Sequence, residues 1–363
     1  MKNAMDKVKL KTLLISIDTT VKEAMQKLDE TAEKILFVVD NEKRLLGTLT
    51  DGDIRRGIIN NIGFQDSIKG VIEREFTAIK RGIPEMEEYA KRIMVERKIE
   101  QIPILDENNI IVDVVLWTDI LGDKEKLKTH EMKSNQVVIM AGGKGTRLDP
   151  FTKILPKPLI PIGNKTVIEL IMERFYKHGF RNFIYTLNYK KEYLKLYLKE
   201  NNFPYSIEWV EEPDFLGTAG SLTLLQDKLK DTFFVVNCDS LLDSDFEEIL
   251  KWHKENDAAM TIVGCHNEVK IHFGVLELSN GRLERILEKP VHDVIINTGI
   301  YVMEPHVISC IPKGRAVNMN EVIDLINEKE KVSVYPISTG WFDIGQWEEY
   351  QKSVEKLGGR ENI

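Results

Sequence analysis

A chain of 363 residues with 42% hydrophobic side chains is long for one domain and comfortable for two, each with a real core. The formal net charge of −8 argues against a nucleic-acid coat, so functional cations must be gathered locally. Three dispersed cysteines, Cys238, Cys265 and Cys310, suggest neither a disulfide framework nor a zinc knuckle and suit a reducing cytoplasm.

The opening residues, MKNAMDKVKLKTLLISID, lack the apolar centre of a signal peptide, and no run approaches the roughly 18 residues of a membrane span. A soluble cytoplasmic protein with neither membrane nor nucleic acid as partner is expected. The segment TVKEAMQKLDETAEKILFVVDNEKRLLGTLTDGDIRRGI reads as helix, apolar strand, turn, second strand and a helix start at TDGDI. The same order recurs in IPEMEEYAKRIMVERKIEQIPILDENNIIVDVVLWTDIL, with Asp53-Ile54 and Asp119-Ile120 in matching places. This tandem resembles a pair of CBS modules, and implies a regulatory or dimerisation domain over residues 1–124 and a homodimer or higher homo-oligomer. In CBS modules that bind nucleotides, a Gly-x-x-Thr-x-x-Asp pattern sets the hydroxyl at a phosphate and the carboxylate at the ribose. Gly47, Thr50 and Asp53 supply it, which implies a regulatory adenine or guanine nucleotide at Thr50 and Asp53. The second copy has Asp113 and Leu116 at the first two places and keeps only Asp119; TDGDI also reads as a helix cap. A charged stretch without apolar periodicity then marks a linker over residues 125–135.

From residue 136 to 363, apolar strands (QVVIMAGG, NFIYTLN, FFVVNCDS) alternate with helical patterns (VIELIMERFYKHG, KKEYLKLYLKEN). That rhythm predicts an α/β fold with a doubly wound, mixed but mostly parallel, Rossmann-like sheet, whose ligands bind at the carboxyl ends of the strands. One such end runs into AGGKGTRLDPFTKILPKPL. Gly142, Gly143 and Gly145 fit neither a Walker A nor a dinucleotide fingerprint, yet glycines beside Lys and Arg are suited to phosphate. Asp239 ends another strand on the same rim, which suggests a metal–nucleotide site. Read alone, Asp239 could cap the helix SDFEEILKWH, although Asp243 and Ser244 are better placed. The seven histidines show no ligand spacing, and Cys238 reads as strand packing.

AGGKGTRLDPFT…PKPL, EEPDFLGTAGSL, VNCDSLL, FGVLE, LEKP, INTGIYV and WFDIGQW follow one another as in sugar-1-phosphate nucleotidylyltransferases, a resemblance covering residues 136 to about 358. With the CBS-like front, the chain looks most like the glucosamine-1-phosphate guanylyltransferases of legionaminic acid biosynthesis. One departure is Asn237-Cys238 before Asp239, where the family often has Gly. The resemblance implies transfer of a nucleotidyl group from a nucleoside triphosphate to a sugar 1-phosphate. Ala141, Gly142, Gly143, Lys144, Gly145, Thr146 and Arg147 would hold the triphosphate, and Glu212, Gly217, Thr218 and Gly220 would meet the nucleoside. Arg147, Lys157 and Asp239 would be catalytic, with Mg²⁺ held by Asp239 and Asp343. Lys157 and Lys289 would meet the sugar phosphate, and Gly274, Glu288, Asn297 and Thr298 the sugar.

The form LGTAG is closer to guanylyl and some uridylyl enzymes than to thymidylyl ones. Guanine offers two donors, N1–H and N2–H, that a carboxylate such as Glu212 could accept, with Glu211 or backbone groups as alternatives. Uridylyl, cytidylyl and mannose-1-phosphate guanylyl transfer share this mechanism. A catalytically silent nucleotide sensor is the reading of another class. The retained Arg147, Lys157, Asp239, Lys289 and Asp343 speak against it.

Overall fold

The computed structural model describes residues 10–31, 34–84, 86–97, 99–116 and 131–358, the last three of these by their backbone. The chain divides into two compact units, Met1–Lys128 and Thr129–Ile363. Asp119, Ile120 and residues 125–130 of the expected linker lie outside the described residues. Among the described residues, no helix is long and apolar enough to cross a membrane.

The first unit is a repeat. Strands β1 (Leu14–Ser16), β2 (Ile35–Val39) and β3 (Leu45–Thr50) form one three-stranded sheet, with helices α1 (Val21–Thr31) and α2 (Asp51–Ile59). Strands β4 (Ile79–Lys80), β5 (Gln101–Leu105) and β6 (Ile111–Leu116) form the second, with helix α3 (Met86–Arg97). In each sheet the first pair is parallel and the second antiparallel, with a register shift at the same place, Val38/Val39 and Ile104/Leu105. The hairpin turns match as well. Asp40 Oδ1 accepts the N–H groups of Glu42 and Arg44, and Asp106 Oδ1 those of Asn108 and Ile110. Lys43 and Asn109 occupy the left-handed region at φ 64° and 63°. The two turns bond to each other, Leu45 N–H to Asn109 O and Ile111 N–H to Lys43 O, so the halves meet turn to turn.

The second unit contains β7 (Lys133–Ala141), the small hairpin β8 (Pro161–Ile162) and β9 (Lys165–Thr166), β10 (Phe180–Leu187), β11 (Ser206–Glu211), β12 (Phe233–Asn237), β13 (Ser240–Leu242), β14 (Met260–Lys270), β15 (Val275–Ser279), β16 (Arg282–Leu287), β17 (Val291–Met303), β18 (Val332–Ile337) and β19 (Trp341–Asp343). Seven strands make one sheet in the order β11-β10-β7-β12-β17-β14-β18, in which only β17 runs against the rest. This is the mixed, mostly parallel α/β sheet expected. Along β7 the side chains alternate between two cores, as the pleat requires. Val137, Ile139 and Ala141 pack with α5 (Val167–Lys177) and α7 (Phe246–Glu255), while Val138 and Met140 pack with Leu222, Val307 and α8 (Met319–Asn327).

Two boundaries differ from the sequence reading. Strand β7 starts at Lys133, inside the stretch expected as linker, because Lys133 N–H bonds Gly179 O and its ammonium pairs with Glu247. Helix α7 is capped by Asp245, whose Oδ1 accepts the N–H groups of Glu247 and Glu248, rather than by Asp243 or Ser244. The helix begins at Phe246, which sets Asp245 at the capping position, while Asp243 N–H bonds Gly340 O.

Candidate active site

The register brings four strand ends to one rim. Ala141 pairs with Leu187, Leu187 with Glu211, and Asn237 with Met140, so the loops after β7, β10, β11 and β12 emerge together. After β7 the chain runs through the glycine loop. Gly145, at φ 67°, turns it into a short 3-10 segment, Thr146–Leu148, and then into α4 (Phe151–Ile154). The buried Thr152 hydroxyl bonds Gly145 O and Asp149 Oδ1 at 3.1 and 2.7 Å, fixing the loop from beneath. A Cβ on Gly145 would lie 3.1 Å from Lys157 Cβ, so loop and lysine pack directly together. Ala141 and Gly142 are buried, whereas Gly143, Lys144, Thr146 and Arg147 are exposed.

Lys157 stands on a turn stiffened by Pro156 and Pro158, and its ammonium pairs with Asp239. Asp239 lies between β12 and β13. Strand β13 pairs antiparallel with β19, Ser240 opposite Asp343, and Ile344 N–H bonds Asp239 O, so two carboxylates distant in sequence become neighbours. Burial raises the Asp343 carboxyl above the ordinary range and the nearby Asp239 charge raises it further; the Gly345 N–H and the charges of Lys157 and Arg147 pull the other way. Two hard carboxylates that repel one another, one of them taken by an ammonium, fit a hard divalent cation such as Mg²⁺. Among the described residues no cluster of three or more His, Cys, Asp or Glu side chains could hold a metal alone, so the remaining ligands would be phosphate and water.

At the next strand end Glu211 and Glu212 part company. Glu211 is exposed and paired with Lys191 and Lys195 of α6 (Lys191–Glu200), which lower its carboxyl to about 2. Glu212 is 3% exposed, with one oxygen accepting Leu216 N–H at 3.2 Å. The other lies so close to Gly142 that a Cβ there would be 2.4 Å away. Burial raises the Glu212 carboxyl. Gly217, at φ 79°, passes so near Val317 O that a Cβ would lie 2.5 Å from it. Thr218 Oγ1 accepts Met319 N–H, and Gly220 N–H bonds Val317 O. These three residues dock the LGTAG segment onto the start of α8.

The remaining sequence candidates are held differently. Thr298 is buried and its hydroxyl donates to Val263 O at 2.7 Å; Asn297 bonds Tyr301 OH and Gly299 N–H. Gly274 and Glu288 adjoin on the β15–β16 ribbon, where a Gly274 Cβ would be 3.2 Å from Glu288 Oε2. Glu288 and Lys289 are exposed, Lys289 with φ 46°, a region that a lysine seldom adopts. In the first unit, Thr50 and Asp53 close a capping box at the start of α2, and Asp53 also pairs with Arg56. Gly47 is pressed against Glu73 O, 2.6 Å from an added Cβ. Cys238 is buried, which pushes its thiol up to about 12; it packs in the core from the turn after β12 rather than from the strand itself. One residue the sequence reading passed over is Gly345, which lies among Asp239, Asp343 and Lys157.

Residues 8–60 match the CBS domain family, and residues 136–358 match the nucleotidyl transferase family. The chain is 35% identical over 218 residues to the mannose-1-phosphate guanyltransferase of Yarrowia lipolytica, covering 58% of this chain and 60% of that protein. It is 32% identical over 248 residues to the UTP–glucose-1-phosphate uridylyltransferase of Synechocystis sp., covering 62% and 64%. It therefore spans less than two thirds of these relatives. Among solved structures, HddC from Yersinia pseudotuberculosis is similar with a TM-score of 0.51 and 26% identity, over 61% of this chain and 99% of that one. HddC complexed with GMP-PN is similar at a TM-score of 0.50 and 26% identity, over the same shares. With residues 136–358 of its 363 matched, the chain belongs to the nucleotidyl transferase family.

Proposed function

We propose that the second unit transfers a nucleotidyl group, GMP from GTP, to a sugar 1-phosphate, releasing pyrophosphate. The observation that carries this reading is the meeting of Lys157, Asp239 and Asp343 on the strand-end rim beside the glycine loop. A sugar phosphate oxygen is already an anionic nucleophile. It attacks the α-phosphorus, the new P–O bond forms as the α–β bridging bond breaks, and pyrophosphate leaves with that electron pair. No side chain need remove a proton, so the obstacle is charge. Lys157 neutralises the reacting phosphates, the amides of Gly143, Gly145 and Thr146 cradle the triphosphate, and Arg147 binds it through a planar fork. Asp239 and Asp343 would hold Mg²⁺, which supplies charge neutralisation at the α-phosphate when bound.

Glu212 is the better candidate to read guanine. Glu211 is committed to two lysines, whereas Glu212 is buried against Gly142 at the loop. The similarity to a mannose-1-phosphate guanyltransferase and to HddC with GMP-PN supports guanine, and the sequence resemblance favours glucosamine 1-phosphate as acceptor. Pyrophosphate release with GTP, UTP, CTP, ATP and dTTP, each with glucosamine, mannose and glucose 1-phosphate, tests the reading. GTP with glucosamine 1-phosphate is expected to turn over fastest. Faster turnover with UTP would overturn the guanylyl assignment, and none with any pair would overturn nucleotidyl transfer itself.

A further inference from the structure

A glycine can be required by its backbone conformation or by the space its missing side chain leaves. Gly340 and Gly217 show the first kind. Their φ angles are 85° and 79°, and an added Cβ would lie 2.6 Å from Asp243 O and 2.5 Å from Val317 O, backbone atoms that cannot step aside. Gly345 is different. Its backbone lies outside the left-handed region, so any residue could adopt it. The three atoms nearest an added Cβ are all ends of side chains: Asp343 Oδ1 at 2.7 Å, Asp239 Oδ2 at 2.8 Å and Lys157 Nζ at 3.0 Å. Such ends move cheaply, so the fold would survive while the charged groups were pushed apart. The Gly345 N–H also donates to Asp343 Oδ1 at 2.7 Å, holding that carboxylate toward Asp239.

We infer that Gly345 is a positioning residue for nucleotidyl transfer: its bare Cα keeps open the space in which a divalent cation and a phosphate oxygen meet Asp239, Asp343 and Lys157, and its N–H aims Asp343 into that space. This rests on the function proposed above. A methyl group at this position competes with the cation and turns the carboxylates from it, while nucleoside contacts at Glu212 and Gly217 are untouched.

The test compares wild type, Gly345→Ala, Gly345→Val and Gly340→Ala by thermal unfolding, by Mn²⁺ binding followed by electron paramagnetic resonance, and by steady-state kinetics. Gly345→Ala is expected to keep Tm within about 3 °C of wild type, and Gly340→Ala to lose more. Mn²⁺ affinity of Gly345→Ala should fall about tenfold or more. Its kcat should fall about 100-fold with KM for GTP changed little, and Gly345→Val should be worse on both counts. Retained Mn²⁺ affinity and kcat in Gly345→Ala would overturn the inference. So would a Tm loss as large as that of Gly340→Ala, which would make the glycine a servant of the fold. If wild type turns over no substrate, nucleotidyl transfer fails as the function, and the Mn²⁺ titration still decides whether Gly345 guards a cation site.

Discussion

The rim at the strand ends and the β15–β16 ribbon hold their charged side chains in opposite ways. On the rim, Lys157 and Asp239 are 11% and 16% exposed, and their neighbours are fixed by strand pairing, by Ile344 N–H on Asp239 O and by Gly345 N–H on Asp343. The ribbon is a two-stranded hairpin outside the main sheet, with Phe273 and Leu276 at 78% and 59% exposure and with Glu288 and Lys289 in the open. A lone two-stranded hairpin holds its side chains loosely in water. On the proposed function, the chemistry would be prepared in the scaffold, whereas contacts to the sugar would be ordered by the sugar itself. Groups of the first kind should govern kcat, and groups of the second kind KM for the sugar phosphate.

Breaking the rim should cost most. Asp239→Asn, Asp343→Asn and Lys157→Ala are each expected to lower kcat by about 10²–10³-fold in pyrophosphate-release assays. Asp343→Asn should at the same time raise Tm in the absence of divalent metal. The raised Asp343 carboxyl means that its ionisation opposes folding, so the variant gains above the folded-state value, and the gain vanishes below the ordinary 3.8. Unfolding curves across pH would check this, and a stability loss at neutral pH would show that burial and the Asp239 charge do not disfavour the ionised Asp343.

Next in size is Glu212→Gln. It should cut the preference for GTP over UTP by about 10- to 100-fold, because an amide accepts one guanine donor poorly and can pair with uracil. Its carboxyl is also raised by burial, so the variant should be more stable than wild type at neutral pH, and the difference should close as pH falls past the ordinary 4.5. On the ribbon, Lys289→Ala should raise KM for the sugar 1-phosphate about tenfold with a smaller change in kcat. A kcat effect as large as that of Lys157→Ala would dissolve the distinction between rim and ribbon. The smallest effect belongs to the first unit, where Asp53→Ala removes half of a capping box and should cost about 1 kcal/mol in unfolding experiments.

What could be read from the sequence was what repeats or alternates. The two halves of the first unit showed because the order of helix, strand, turn and strand recurs, and the doubly wound sheet because apolar strands alternate with amphipathic helices. What escaped was decided by partners far along the chain. Lys133 to Asn135 looked like linker because their strand pairing is bought from β10 rather than from their own apolarity. Asp243 and Ser244 looked the better caps for α7, whereas the helix starts at Phe246 and so sets Asp245 at the capping position. That the Thr298 hydroxyl bonds Val263 O was likewise hidden, since the two lie 35 residues apart. Gly345 was passed over, since Asp239 and Lys157, whose ends lie against its bare Cα, come from distant segments.

The most direct test of a rim that works by charge and position, with no covalent step of its own, is the configuration at the α-phosphorus. Turnover of GTP carrying a chiral α-thiophosphate with glucosamine 1-phosphate, followed by phosphorus NMR of the product, reads it in one measurement. A single in-line attack by the sugar phosphate predicts inversion, and retention would require a nucleotidyl-enzyme intermediate and contradict the account.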